Sequence, residues 1–449
     1  MTGSPATSRA GGFGAGVLWV GAGIGVYGLA SFAFLALCAQ ALGDGPGYTA
    51  LALLWTLLNA IGIGLYLPVE QETSRAVSGL RSRGLATAGA VRGPTLYAAG
   101  SLAVVAVVLL VGNRWFRDAL FEGVRGMTAL FAAALLGMAV AYLARGVLGG
   151  TGRFPRYGVQ LALDGGLRIA GVLVLTALDV RSPVAFGAVL AAAPLVSTAA
   201  ALLRSGPLLE RAPRAPRAAV GMRALVAASL ASQLLANAGP VAAQLLASPG
   251  ESETTGQLVN ALTVARIPLF LFAAVQAVFL PKLAAHVARD ERVSFVASLR
   301  TAVLLTSGIG ALGIGATALV GPRAVRLLFG PGFDVERGVM VVLAVSAVLF
   351  MVVQVLVQAL LARGRDALAI AVWCAGLAGL LLALIPSLDL AMRVSLALTA
   401  GSGAALLVAA VALRHALTDW TGARAAQPTV HDTPLAGTVG SGHISEESS

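Results

Sequence analysis

Charge is scarce in this chain. Asp, Glu, Lys and Arg make up 11% of its 449 residues, against about 25% in a soluble globular domain. A soluble fold of this length could not cover its surface with so few charges. Lysine is nearly absent: Lys282 stands alone beside 30 arginines. Cysteine is too rare for a disulfide or thiolate framework, and Cys38 and Cys374 both sit inside apolar runs, as packed small hydrophobes do. The four histidines, His286, His415, His431 and His443, show no metal-ligand spacing. Neither a metal nor a cofactor is expected. No nucleophile or acid–base constellation appears, and the external loops are short, so a catalytic role is not expected either. The net charge of +11 comes without a basic–aromatic platform, which argues against a nucleic-acid partner.

What the chain has is hydrocarbon. Apolar residues reach 58% and mean hydropathy is +0.87. They are gathered in blocks of about 20 or more, the length of a transmembrane helix. The pattern predicts an all-α integral membrane protein with about twelve spans: 14–42, 47–68, 94–112, 126–147, 157–179, 183–203, 224–247, 256–280, 299–320, 338–362, 367–386 and 392–413. Residues 1–13 precede them; one Arg and no cleavage site there predict an uncleaved first span. That span is long for a bilayer, so it should tilt or protrude. With the N terminus inside, internal segments hold 21 of the Arg and Lys residues and external segments hold 8. This bias places both termini in the cytoplasm. Residues 414–449 are rich in Gly, Ser, Thr and Pro and read as a disordered tail.

The chain repeats itself. Tyr66-Leu67-Pro68 closes span 2, and Phe279-Leu280-Pro281 closes span 8, 213 positions on. Gly152-Arg153 precedes span 5, and Gly364-Arg365 precedes span 11, 212 positions on. Ala119-Leu120-Phe121-Glu122-Gly123 is echoed by Leu327-Leu328-Phe329-Gly330. These offsets predict two six-helix halves of the same orientation, 14–203 and 224–413, around a central cleft. The joint is the linker 204–223, whose clustered Arg suits anionic membrane lipids.

Polar residues inside the spans are the candidate site. Span 5 carries Gln160, Asp164 and Arg168 at helical spacing on one face. They form either a local Asp–Arg pair that packs the bundle or one wall of a hydrated cavity. Arg266 in span 8 has no acid one turn away, and Pro268 follows it. It either pairs with Asp164 across the bundle or offers a cation to an anion at a broken helix. Span 7 adds Ser229, Gln233, Asn237 and Gln244 around Pro240. Span 2 adds Thr56, Asn59, Tyr66 and Glu70, and span 10 adds Gln354 and Gln358. The fingerprint Gly23-Ile24-Gly25-Val26-Tyr27-Gly28 follows no strand, and close helix packing explains it better than a dinucleotide site.

Three stretches carry a resemblance. They are Leu67-Pro68-Val69-Glu70-Gln71-Glu72-Thr73-Ser74-Arg75, Arg145-Gly146-Val147-Leu148-Gly149-Gly150-Thr151-Gly152-Arg153-Phe154 and Ala265-Arg266-Ile267-Pro268-Leu269-Phe270. Here the chain resembles the polysaccharide-biosynthesis (O-antigen-type) flippases of the multidrug/oligosaccharidyl-lipid/polysaccharide exporter superfamily, over about residues 14–413. The extra C-terminal spans usual in the lipid II flippase are missing. The resemblance implies a monomer in the bacterial plasma membrane that flips polyprenyl-pyrophosphate-linked oligosaccharide by alternating access. It also implies glycan-assembly membrane proteins as partners. Substrate would meet Arg168, Arg266, Asp164, Gln160, Gln233, Asn237, Asn59 and Gln354. Two alternatives stay open: a multidrug cation antiporter of the same superfamily, and a non-transporting membrane scaffold.

Overall fold

The computed structural model describes residues 7–203, 208–210, 222–248, 252–267, 283, 285–287, 289–384 and 388–420. Among these residues it is all helix and turn. In order, the long helices are α1 (Thr7–Leu42) and α2, a continuous run made of Pro46–Leu57, a π-turn Leu58–Gly62 and Ile63–Ser82. Then come α3 (Arg92–Val111), α4 (Met127–Gly150), α5 (Phe154–Ala177), α6 (Pro183–Leu202) and α7 (Met222–Leu246). The series ends with α8 (Ser252–Ala265), α9 (Arg292–Phe329), α10 (Arg337–Ala362), α11 (Asp366–Ala383) and α12 (Leu390–Thr418). Eleven helices among the described residues are long and apolar enough to cross a membrane. The twelfth, α8, is described only to its break at Arg266–Ile267. The rest of the expected span, through 280, lies outside the described residues, as do most of the linker 204–223 and residues 421–449.

The twofold repeat is visible in the packing. α1 packs on α5 as α7 packs on α11, and α4 on α6 as α10 on α12. The pairs α5–α6 and α11–α12, α3–α4 and α9–α10, and α2–α4 and α8–α10 complete the match. Between α1 and α5 the backbones nearly touch. A methyl group at Gly23 would lie 2.6 Å from the Gly158 carbonyl oxygen, whereas one at Gly25 would meet nothing within 4 Å. The glycine run is therefore a helix-packing seam at Gly23.

Several helices outrun their apolar cores. α2 does not stop at Pro68 but continues to Ser82. Its polar end is anchored: Glu72 pairs with Arg75 at 2.6 Å, and Gly146 and Gly150 of α4 let the α2 backbone approach closely. At 38 residues, α9 would be about 57 Å long, well over a hydrocarbon core of about 30 Å. It must tilt or protrude, and so must the 36-residue α1. α12 runs past the expected end at 413 to Thr418, and Trp420 is docked against Phe295, Arg363 and Asp290.

The halves meet along Ile63–Ser82 of α2 against α7, and they are also pinned at one end of the bundle. There the Gln40 amide donates to the Leu328 carbonyl at 2.8 Å, and the Tyr48 hydroxyl donates to Asn260. The Tyr48 ring meets Phe333 edge-on at 5.1 Å, and the Gln244 amide donates to Glu122 at 2.5 Å. Each contact joins one half to the other.

Candidate functional site

The cavity holds about 370 Å³ and is built from both halves. α1 supplies Tyr27, Ser31 and Phe32, and α2 supplies Trp55, Thr56 and Asn59. From the second half come Gln233, Asn237 and Pro240 of α7, Thr263 of α8 with Arg266 just after it, and Phe350 and Gln354 of α10. Among the described residues, Arg266 is the only charged side chain in the lining, and no carboxylate is present.

Arg266 owes its place to two irregular helices. At the end of α8 its N–H still reaches the Leu262 carbonyl at 3.1 Å, but Ile267 turns tighter, onto Val264 at 3.2 Å. Across the cavity, Pro240 interrupts α7. Proline has no N–H, so the carbonyl four residues earlier loses its helical donor. That carbonyl belongs to Ala236, and the Arg266 guanidinium donates to it. Among the described residues Arg266 makes no ion pair. Asp164, its alternative partner, is held instead by Arg168 at 2.9 Å.

Asn59 sits in the π-turn Leu58–Gly62. Such turns are rare and gather at functional sites. The looser turn leaves backbone groups to be satisfied in other ways, and the Asn59 amide donates to the Trp55 carbonyl at 2.8 Å. Asn237 donates to the Gln233 carbonyl at 2.9 Å.

Of the eight predicted residues, Asn59, Gln233, Asn237, Arg266 and Gln354 meet in this cavity. Gln160, Asp164 and Arg168 do not line it. They are buried within the first half, at 0%, 2% and 5% exposure. The Arg168 guanidinium is used on three sides: Nε to Asp164 at 2.9 Å, Nη1 to Ser31 at 3.5 Å and Nη2 to the Tyr27 hydroxyl at 3.1 Å. It borders a small space of about 20 Å³, which shares Tyr27, Trp55 and Asn59 with the main cavity. Gln160 donates to Ser197 at 3.0 Å and accepts from Arg145 at 3.4 Å.

Arg145, at the end of the expected span 126–147 and counted with the internal charges, is not a loop residue. It lies inside α4, 5% exposed. There it pairs with Glu70 at 2.8 Å and sits 3.9 Å from the Tyr142 ring centre. Tyr157 also donates to Glu70. Sequence reasoning also missed the cavity aromatics Tyr27, Phe32, Trp55 and Phe350. On α1 the helical spacing of Tyr27, Ser31 and Phe32 was the available signal, masked by the glycine pattern around it.

No protein-family profile matches the sequence. Curated proteins similar to it include two that are described as uncharacterized. One, from Mycobacterium tuberculosis, is 28% identical over 383 residues, 82% of this chain and 85% of that one. The other, from Mycobacterium bovis, is 25% identical over 342 residues, 73% of this chain and 76% of that one. Among solved structures, an inward-facing multidrug resistance MATE family transporter of the MOP superfamily aligns with TM-score 0.67 at 14% identity, covering 88% of this chain and 94% of that one. A Vibrio cholerae MATE transporter aligns with TM-score 0.64 at 16% identity, covering 92% and 98%. A MOP superfamily transporter from Pyrococcus furiosus, described as having a binding pocket of reverse polarity that suggests a different function, aligns with TM-score 0.63 at 15% identity, covering 89% and 94%. The chain thus shares the fold of the MATE transporters it aligns with.

Proposed function

We propose that the protein is a membrane transporter whose substrate is an anionic amphiphile, a polyprenyl-pyrophosphate-linked glycan, moved between leaflets by alternating access. One observation carries this reading: the cavity lining holds a single charge, Arg266, and no acid among the described residues. A guanidinium at the end of a broken helix suits a diphosphate, which it binds through paired N–H donors. The amides Asn59, Gln233, Asn237 and Gln354 can both donate to and accept from sugar hydroxyls. Trp55, Phe32 and Phe350 offer apolar faces to the rings between them. Several solved neighbours are multidrug transporters, and that is the second reading. A cation exporter would need acid in its cavity, and the sign found here is the opposite. The reverse-polarity pocket described for the Pyrococcus protein supports the idea that this fold accommodates both signs.

The setting is the plasma membrane with both termini inside. Removing the buried Arg145 from the internal charges leaves the internal excess almost unchanged. Anion movement outward across an inside-negative membrane is favoured by about 2.3 kcal/mol per charge per 100 mV. The test is reconstitution in proteoliposomes with a fluorescent polyprenyl-pyrophosphate sugar. Wild type should flip it, and Arg266→Gln should abolish flipping while inserting normally. Flipping at the wild-type rate by Arg266→Gln would end the proposal.

A further inference from the structure

Resting on that anion reading, we infer that Tyr27 is a second donor to the substrate's anionic group, and that the buried Asp164–Arg168 pair is the device that positions it. Tyr27 lines the central cavity. Its hydroxyl oxygen accepts from Arg168 Nη2 at 3.1 Å, and the guanidinium carbon lies 4.8 Å from the ring centre. Arginine can only donate. With the phenolic oxygen committed as acceptor on that side, the O–H proton must be donated elsewhere. Among the described residues it has no protein acceptor, and Tyr27 borders both the small space beside Arg168 and the cavity. An anion in the cavity would receive it.

Arg168 acts through Tyr27 because it does not itself line the cavity, and three of its five N–H groups are already held. Asp164 holds Nε, Ser31 takes Nη1 and Tyr27 takes Nη2. Asp164 also neutralises the guanidinium, so the pair stays in the apolar interior at 2% and 5% exposure. What the pair offers is a polarised hydroxyl with a fixed direction, on a residue that lines the cavity. The geometry also divides the recognition between the halves. Tyr27 stands on α1 of the first half and Arg266 just after α8 in the second. An anion bound to both ties the halves together, and rocking of one half against the other would separate its two donors.

The experiment measures binding of inorganic pyrophosphate to the purified full chain in lipid nanodiscs. Tyr27→Phe keeps the ring and removes only the hydroxyl, so Arg168 retains Asp164 and Ser31 and the fold should hold. It should weaken pyrophosphate binding about tenfold, the scale of one hydrogen bond to a charged group. The neutral replacement Asp164→Asn with Arg168→Gln should weaken it to a similar degree. Adding Tyr27→Phe to that pair should cost no further affinity, because both changes act on one donor. A purely structural role for the pair would give losses that multiply, and that result overturns the positioning role. Wild-type affinity in Tyr27→Phe, with binding lost in Arg266→Gln, overturns the inference and leaves the anion reading standing. Absence of pyrophosphate binding by wild type overturns both.

Discussion

Consider the double-mutant cycle at Glu70 and Arg145, the buried pair that joins α2 to α4. The two side chains are 13% and 6% exposed and 2.8 Å apart. Breaking a buried ion pair by removing one partner costs about 3–5 kcal/mol, because the other charge is left uncompensated. Arg145→Gln strands Glu70 with Tyr157 as its remaining donor, so its cost should fall toward the upper end. Glu70→Gln leaves Arg145 with Gln160 at 3.4 Å and the Tyr142 face, and should fall toward the lower end. The double variant removes both charges and keeps two amides of similar shape. It should be less destabilised than the sum of the single variants by about 1–3 kcal/mol. Unfolding in mixed micelles, followed by tryptophan fluorescence, yields the four free energies. A cost below about 1 kcal/mol for Arg145→Gln, or strict additivity in the double variant, would refute the buried-pair account.

Gly23→Ala should destabilise by about 1–3 kcal/mol through overpacking against Gly158, whereas Gly25→Ala should be neutral or slightly stabilising; thermal denaturation of the two variants compares them directly. Pro240→Ala should restore the N–H that competes for the Ala236 carbonyl, releasing Arg266 and weakening pyrophosphate binding at least threefold in the nanodisc assay, with normal folding; unchanged affinity would show that the free carbonyl does not hold Arg266. Tyr48→Phe should loosen the pinned end by removing its bond to Asn260, seen as faster labelling of a cysteine placed at Gln40. Reporter fusions after residues 118, 210 and 424 should read outside, inside and inside; any other pattern contradicts the orientation.

The fold was legible because transmembrane length is written directly in apolar runs, and because the Pro, Gly-Arg and Leu-Phe echoes recur at similar offsets. Boundaries were less legible. Hydropathy marks where a helix leaves hydrocarbon, whereas α2 continues beyond it on the strength of Glu72–Arg75 and the small residues of α4. Within the site, residue type foretold polarity but not direction. Gln160, Asp164 and Arg168 share a face, yet that face turns into the first half, because helix rotation is set by packing partners such as the Gly23–Gly158 contact. Arg145 reads as an internal charge because it stands at the end of an apolar run. The π-turn at Leu58–Gly62 carries no Gly or Pro signature at its start, so the exposure of Asn59 to the cavity was readable only as part of a stripe. Arg266 was the clearest signal, since an arginine in a span without a local acid must find compensation somewhere. Its anchor, a carbonyl freed by Pro240 on another helix, needed the three-dimensional structure.

The most direct measurement sets the two signs of substrate against each other in one preparation. Proteoliposomes of wild type and Arg266→Gln would be assayed for flipping of a polyprenyl-pyrophosphate sugar and for movement of ethidium. The account predicts saturable flipping of the anionic lipid by wild type, its loss in Arg266→Gln, and no protein-dependent ethidium movement. Ethidium transport by wild type that persists in Arg266→Gln, with no flipping of the anionic lipid, would contradict it.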